Sequence, residues 1–164
     1  MAIVNNVTRL LDSRKIPYIA YELSSEKLSA KETAGLLGVE ESIVFKTIVV
    51  TREKPKKPIL IVLPGTRVVD LKLVANALGE KKVTLPTERE AEAITGLQAG
   101  GISPLALINK GFKVVIDVYA QNFAKIHISG GQRGLNIKLG VDDLAKLTMA
   151  KFAAISTQIP GSEK

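Results

Sequence analysis

Residues 44–63, VFKTIVVTREKPKKPILIVL, decide the fold. Val44 to Thr51 and Pro58 to Leu63 are apolar, β-branched runs of strand length, and the charged REKPKK tract between them is a loop. The segment therefore predicts a hairpin of central strands. Alternation sets Val44, Lys46, Ile48 and Val50 on one face and Phe45, Thr47 and Val49 on the other, so both faces are largely apolar. Lys46 breaks that pattern, and a lone cation in such a strand is costly unless it reaches water, a partner or a cleft. Two readings fit it. One is an edge lysine that snorkels to solvent and discourages aggregation. The other is a lysine projecting into a pocket, where it meets a phosphate or ester oxygen as a point charge.

On the N-terminal side, Val4, Val7, Leu10 and Leu11 recur at helical spacing over residues 3–15, and Pro17 stops the run. Tyr18 to Leu23 reads as a strand. Ser29 and Glu32 form a capping box that opens a short helix through Leu36 and Leu37, closed by Gly38. On the C-terminal side, Asp70 caps a helix to Leu78 ended by Gly79, and Thr87 with Glu90 leads a second one to Gly96. GLQAGGISPLAL, residues 96–107, is a glycine-rich loop. Lys113 to Val118 and Lys125 to Ser129 are strands, SGGQRG (129–134) is a tight turn, and Leu135 to Leu139 is its hairpin partner. Asp142 to Leu147 is a short helix, and TQIPGSEK at the end is expected to fray. Helices and strands in no strict βαβ order predict an α+β domain around a curved mixed sheet, one domain over residues 1–164.

Composition narrows the chemistry. With 164 residues and 46% apolar side chains the chain can build a core. Its longest aliphatic run, Ile59 to Leu63, is far short of the roughly 18 residues a membrane helix needs. The first residues carry no secretory pattern, so a soluble, cytoplasmic protein is expected. Cysteine is absent, which excludes a disulfide framework, thiolate metal sites and a cysteine nucleophile, and His127 is the sole histidine. The net charge of +7, with 17 lysines against 6 arginines, favours a polyanionic partner, nucleic acid first. A lysine-rich solvated surface is the plainer explanation.

Weaker candidates lie elsewhere. GGISP, residues 100–104, has no lysine after its glycines and is not a triphosphate-binding loop. Its paired glycines allow close backbone approach to a ligand, or simply make a turn. SGGQRG offers amides to an anion, or only a hairpin. Lys125, His127 and Ser129 share one strand face, so a Ser-His dyad is conceivable. No acidic residue is placed by sequence to orient the imidazole, however, and a hydrogen-bonded wall histidine is the plainer reading. Tyr21, Thr47 and Asn136 by themselves say only that they belong to strands.

Taken in order, Tyr21-Glu22, VFKTIVV (44–50), DLKLVANALG (70–79), GGISPLAL (100–107) and SGGQRGLNIKL (129–139) resemble the YbaK-type aminoacyl-tRNA deacylases. That family is related to the editing domain inserted in bacterial prolyl-tRNA synthetase, and the likeness spans residues 4 to 155. It implies a mixed, barrel-like sheet flanked by helices, and an enzyme that frees mischarged tRNA, held by its acceptor end, of a wrong amino acid. No metal, organic cofactor, membrane or DNA is implied, and a docked prolyl-tRNA synthetase is left open. By resemblance, Lys46 is the essential pocket lysine and Gly101 sits near the substrate carbonyl. Ser129 completes the catalytic set, and Tyr21, Thr47, Gly100 and Asn136 bind substrate. Asn136 departs from the aspartate that cysteine-clearing members carry. Thr47 and Ser129 look like that cysteine-clearing subgroup, for which substrate-assisted cleavage through a cyclic thioester is expected. A non-enzymatic RNA-binding module and an inactive regulatory homologue are the alternatives.

Overall fold

The computed structural model describes residues 3–160. The chain runs α1 (Asn6–Ser13), β1 (Tyr18–Glu22), α2 (Ala30–Leu37), β2 (Phe45–Arg52), β3 (Ile59–Pro64), β4 (Arg67–Val69), α3 (Leu71–Leu78), β5 (Val83–Thr84), α4 (Glu88–Thr95) and β6 (Lys113–Asp117). It continues with β7 (Lys125–Ser129), β8 (Leu135–Gly140), α5 (Val141–Thr148), β9 (Lys151–Ala153) and β10 (Ser156–Gln158). The α+β class holds, and none of these helices is long and apolar enough to cross a membrane.

Helix starts follow local chemistry. Ser29 Oγ accepts from the Glu32 N–H at 3.1 Å and Glu32 Oε1 accepts from the Ser29 N–H at 2.9 Å; Thr87 and Glu90 repeat the exchange at α4. These backbone bonds also hold the Glu32 and Glu90 carboxyls below the usual carboxylate range. The first helix is shorter than its periodicity predicts. Asn5 caps it and exchanges bonds with Thr8, an Asn-Thr version of the same box.

One curved sheet was expected, and the strands instead divide among three. The largest has the order β5-β2-β3-β6-β9, with β2 antiparallel to β3 and β3, β6 and β9 parallel. β1, β8 and β7 form an antiparallel sheet, and β4 pairs with β10. The first two meet at a single bridge, Val44 with His127, from which no ladder continues between β2 and β7. The hydrogen-bonding does not run round one closed ring. The tail is also better held than its composition predicts. Thr157 and Gln158 pair with Val68 and Arg67, and the Asp70 N–H bonds the Ile155 carbonyl at 2.9 Å. Residues 161–164 of the expected frayed end lie outside the described residues.

All six residues of β3 are buried. On one side Leu60 and Val62 join Phe45, Val49, Ile128 and Ile137; on the other Ile59, Ile61 and Leu63 pack with Val50, Val74 and Val115. Apolar surface on both faces makes β3 the centre of the molecule. β2 then carries its outer edge beside the second sheet.

Candidate active site

That outer edge borders a cavity of about 530 Å³. Every residue from Val44 to Val49 lines it, which a strand face alone would not allow, so the cavity runs along the edge of β2 as well as beside its side chains. The Gly65 N–H bonds the Val44 carbonyl at 2.9 Å and sets the phase of the β2–β3 ladder. Alternation then turns the backbone groups of Lys46 and Ile48 toward β3, and those of Thr47 and Val49 toward the open edge. The first turn of α2, the loop around Gly100, and the β7–β8 hairpin close the other sides.

Lys46 enters this space half-buried. Burial pushes its ammonium below the ordinary lysine value of 10.5, and the Glu41 carboxylate on the same wall opposes that fall. Among the described residues no ion pair or hydrogen bond engages its Nζ. A partly desolvated cation with no fixed partner is suited to an anionic or carbonyl oxygen of a ligand. The hydroxyl of the next residue, Thr47, is sealed from solvent and without a partner.

Opposite stand Ser129 and Asn136, paired across β7 and β8, with Tyr21 of β1 in register on the far side of Asn136. Ser129 Oγ accepts from the Gly131 N–H at 3.3 Å. His127 is 1% exposed, and its Nδ1 lies 2.8 Å from Asn136 Oδ1. The imidazole is thus tied to an amide, and no Ser129–His127 hydrogen bond forms. Burial, aided by the nearby Lys138, holds the His127 pKa below its ordinary 6.5 against the opposing pull of that bond.

Lys46, Thr47, Gly100, Ser129 and Asn136 therefore come together on one cavity. Tyr21 and Gly101 stand behind its wall. The Tyr21 ring lies 5.5 Å from that of His127, tilted by 46°. Gly101 spends its N–H on the Gln98 carbonyl at 2.8 Å, and a Cβ there would meet the Gln132 backbone at 2.9 Å. Its lack of a side chain is what lets the glycine loop seat against the hairpin.

The sequence reading passed over Arg133, Lys27 and Lys31, which also line the cavity. Arg133 Nε donates to the Ala99 carbonyl at 2.7 Å, which ties hairpin to loop. Lys27 pairs with Glu88 of α4. The available signal was single basic residues, two flanking the Ser29 helix start and one inside the glycine turn at 130–134. No group of three or more histidine, aspartate or glutamate side chains gathers among the described residues.

The model of the aminoacyl-tRNA editing domain matches residues 25–147. The chain belongs to that family. A protein of Enterococcus faecalis named as a Cys-tRNA(Pro)/Cys-tRNA(Cys) deacylase, EbsC, is 37% identical over 155 residues, 93% of each chain. A proline–tRNA ligase of Thermodesulfovibrio yellowstonii is 34% identical over 80 residues, 49% of this chain and 14% of the ligase. Among solved structures, a hypothetical protein matches with TM-score 0.84 and 24% identity, covering 93% of this chain and all of that one. A structure described as a trans-editing enzyme for prolyl-tRNA synthetase matches with TM-score 0.78 and 22% identity over 95% and 99% of the two chains. These last two likenesses establish the fold.

Proposed function

We propose that residues 1–164 act in the cytoplasm as one trans-editing domain that deacylates mischarged tRNA, with cysteinyl-tRNA(Pro) as its substrate. The reading rests on the unpartnered, half-buried Lys46 in a cavity of about 530 Å³, within the range of small-ligand sites. The name of the E. faecalis relative, which is 37% identical, supports the choice of cysteine. Lys46 takes the charge that develops on the ester, and the wall of Ser129 and Asn136 holds the acyl group. The basic residues Lys31 and Arg133 approach the acceptor-end phosphates.

The chain offers no cysteine, one histidine tied to an amide, and a serine without a base. The nucleophile is therefore the substrate's own thiol. Its sulfur bonds to the acyl carbon, the ester C–O bond breaks, and the thiol proton passes to the departing ribose oxygen. A cyclic thioester leaves and is hydrolysed by water. Holding sulfur against carbonyl supplies the effective molarity of an intramolecular reaction.

Deacylation of cysteinyl-, seryl- and alanyl-tRNA(Pro) at equal concentration, with trapping of the thioester, tests this. Cysteinyl-tRNA is expected to be cleared at least about 100-fold faster, the scale of an oriented intramolecular attack. Equal rates overturn the thiol mechanism in favour of activated water. Absence of turnover on all three overturns the enzyme reading and leaves an RNA-binding module.

A further inference from the structure

We infer that His127 is a positioning residue which fixes the Asn136 side chain with its amide nitrogen toward the cavity. The wall at residue 136 then offers hydrogen-bond donors to the carbonyl side of a bound ester. The consequence for catalysis rests on the deacylase reading; the side-chain arrangement stands apart from it.

The argument begins with the 2.8 Å contact between His127 Nδ1 and Asn136 Oδ1. A carbonyl oxygen only accepts, so the ring proton is on Nδ1. The Nε2 of that neutral ring carries a lone pair, and Nε2 is sealed from solvent with no partner. Were the amide reversed, Nδ1 would accept from Nδ2 and the proton would move to Nε2, leaving a buried N–H unpaired. A buried donor with no acceptor is among the rarer orphans in proteins. The held orientation has the lesser orphan.

The ring itself is held on several sides. The residue is 1% exposed and its ring leans on Tyr21, while its backbone bridges to Val44 at the junction of the two sheets. Lys138 lies opposite it across β7 and β8, and burial further disfavours a second ring proton. An imidazole so confined keeps its Nδ1 aimed at the Asn136 amide.

With Oδ1 committed, the Asn136 Nδ2 is the free end. It has no partner among the described residues and, unlike Thr47 Oγ1 and His127 Nε2, is not sealed from solvent. Asn136 lines the cavity, so these N–H groups open onto it. An acceptor at this position would select an ammonium group. A fixed donor selects an ester carbonyl, and binds it more tightly as charge develops on the oxygen.

The chain has one histidine, so imidazole nitrogen NMR of labelled intact protein gives a single assignable set of signals. The expected result is the Nδ1–H tautomer near neutral pH, moving to Nε2–H in Asn136→Leu. An Nε2–H tautomer in the wild-type protein overturns the inference whether or not the protein deacylates tRNA. Kinetics supply the second arm. His127→Phe is expected to lower kcat about tenfold or more with KM changed less than about threefold, the pattern of a lost transition-state donor. His127→Asn retains a donor near the Nδ1 position and is expected to recover most of the rate; His127→Gln places its amide near Nε2 and is not. Full activity in His127→Phe, or rescue by Gln in place of Asn, overturns the positioning role. If His127→Phe fails to fold, the Asn and Gln pair and the tautomer still decide. Absence of wild-type turnover with an Nδ1–H tautomer would refute the deacylase reading and leave the side-chain arrangement standing.

Discussion

Lys46 and His127 are both ionisable groups placed where charge is disfavoured, and both give signed expectations. The Lys46 ammonium is below its ordinary 10.5 in the fold, so at neutral pH the folded protein bears the cost of burying a cation. Lys46→Met removes that cost, and its melting temperature at pH 7 is expected to equal or exceed that of the wild type. Turnover should fall about 100-fold or more, as for loss of a charge-stabilising group. Melting curves and single-turnover deacylation on the same sample check both halves, and a fully active variant would make Lys46 a solvated edge residue. For His127 the folded pKa is below 6.5, so on acidification the unfolded chain takes up its proton first. Stability from this group is complete above pH 6.5 and declines as pH falls from there toward the folded pKa. Denaturant titrations at several pH values should show that decline in the wild type and lose its histidine component in His127→Asn. Lys46 was visible in the sequence because an isolated cation in VFKTIVV contradicts its surroundings. The His127–Asn136 bond was not. Alternation shows which residues share a face, whereas a contact nine residues apart needs the register of two strands and the direction of an amide.

At the scale of elements, the walls of the cavity depend on close approach. A Cβ at Gly65 would lie 2.1 Å from Ala30 Cβ, so the turn after β3 is seated directly against the first turn of α2. Gly65→Ala is expected to displace that turn, which carries Ser29, Ala30, Lys31 and Thr33 into the cavity. Weaker tRNA binding and a destabilisation of about 1–3 kcal/mol, typical of overpacking, should follow, read by chemical denaturation and binding titration. Gly101→Ala acts at the opposite wall, where the added Cβ meets backbone, and should part the glycine loop from the hairpin, lowering kcat and the melting temperature together. Helix boundaries were legible because caps are local: Ser29 with Glu32 and Thr87 with Glu90 occur as read. The division into three sheets was not. Periodicity does not say which strands are partners, and β4, β5, β9 and β10, at two or three residues each, are too short to leave a pattern.

For the whole molecule, charge sets how the substrate arrives. With a net charge of +7 and seven aromatics, affinity for tRNA should come from phosphate contacts rather than base stacking. Binding is expected to weaken about tenfold or more between 50 and 200 mM salt, with one slope for cysteinyl-, seryl- and uncharged tRNA. Filter binding across that range checks it, and a flat response would indicate a docked protein partner. The aromatic inventory has a further use. The chain has no tryptophan and three tyrosines. Tyr18 donates to Asp12 at 2.9 Å, Tyr119 lies beneath the Arg67 guanidinium, and Tyr21 leans on His127. Near-ultraviolet emission therefore arises from three phenols, and in a Tyr18→Phe, Tyr119→Phe background it comes from Tyr21 alone. The unlabelled protein then carries its own optical probe at the back of the cavity wall.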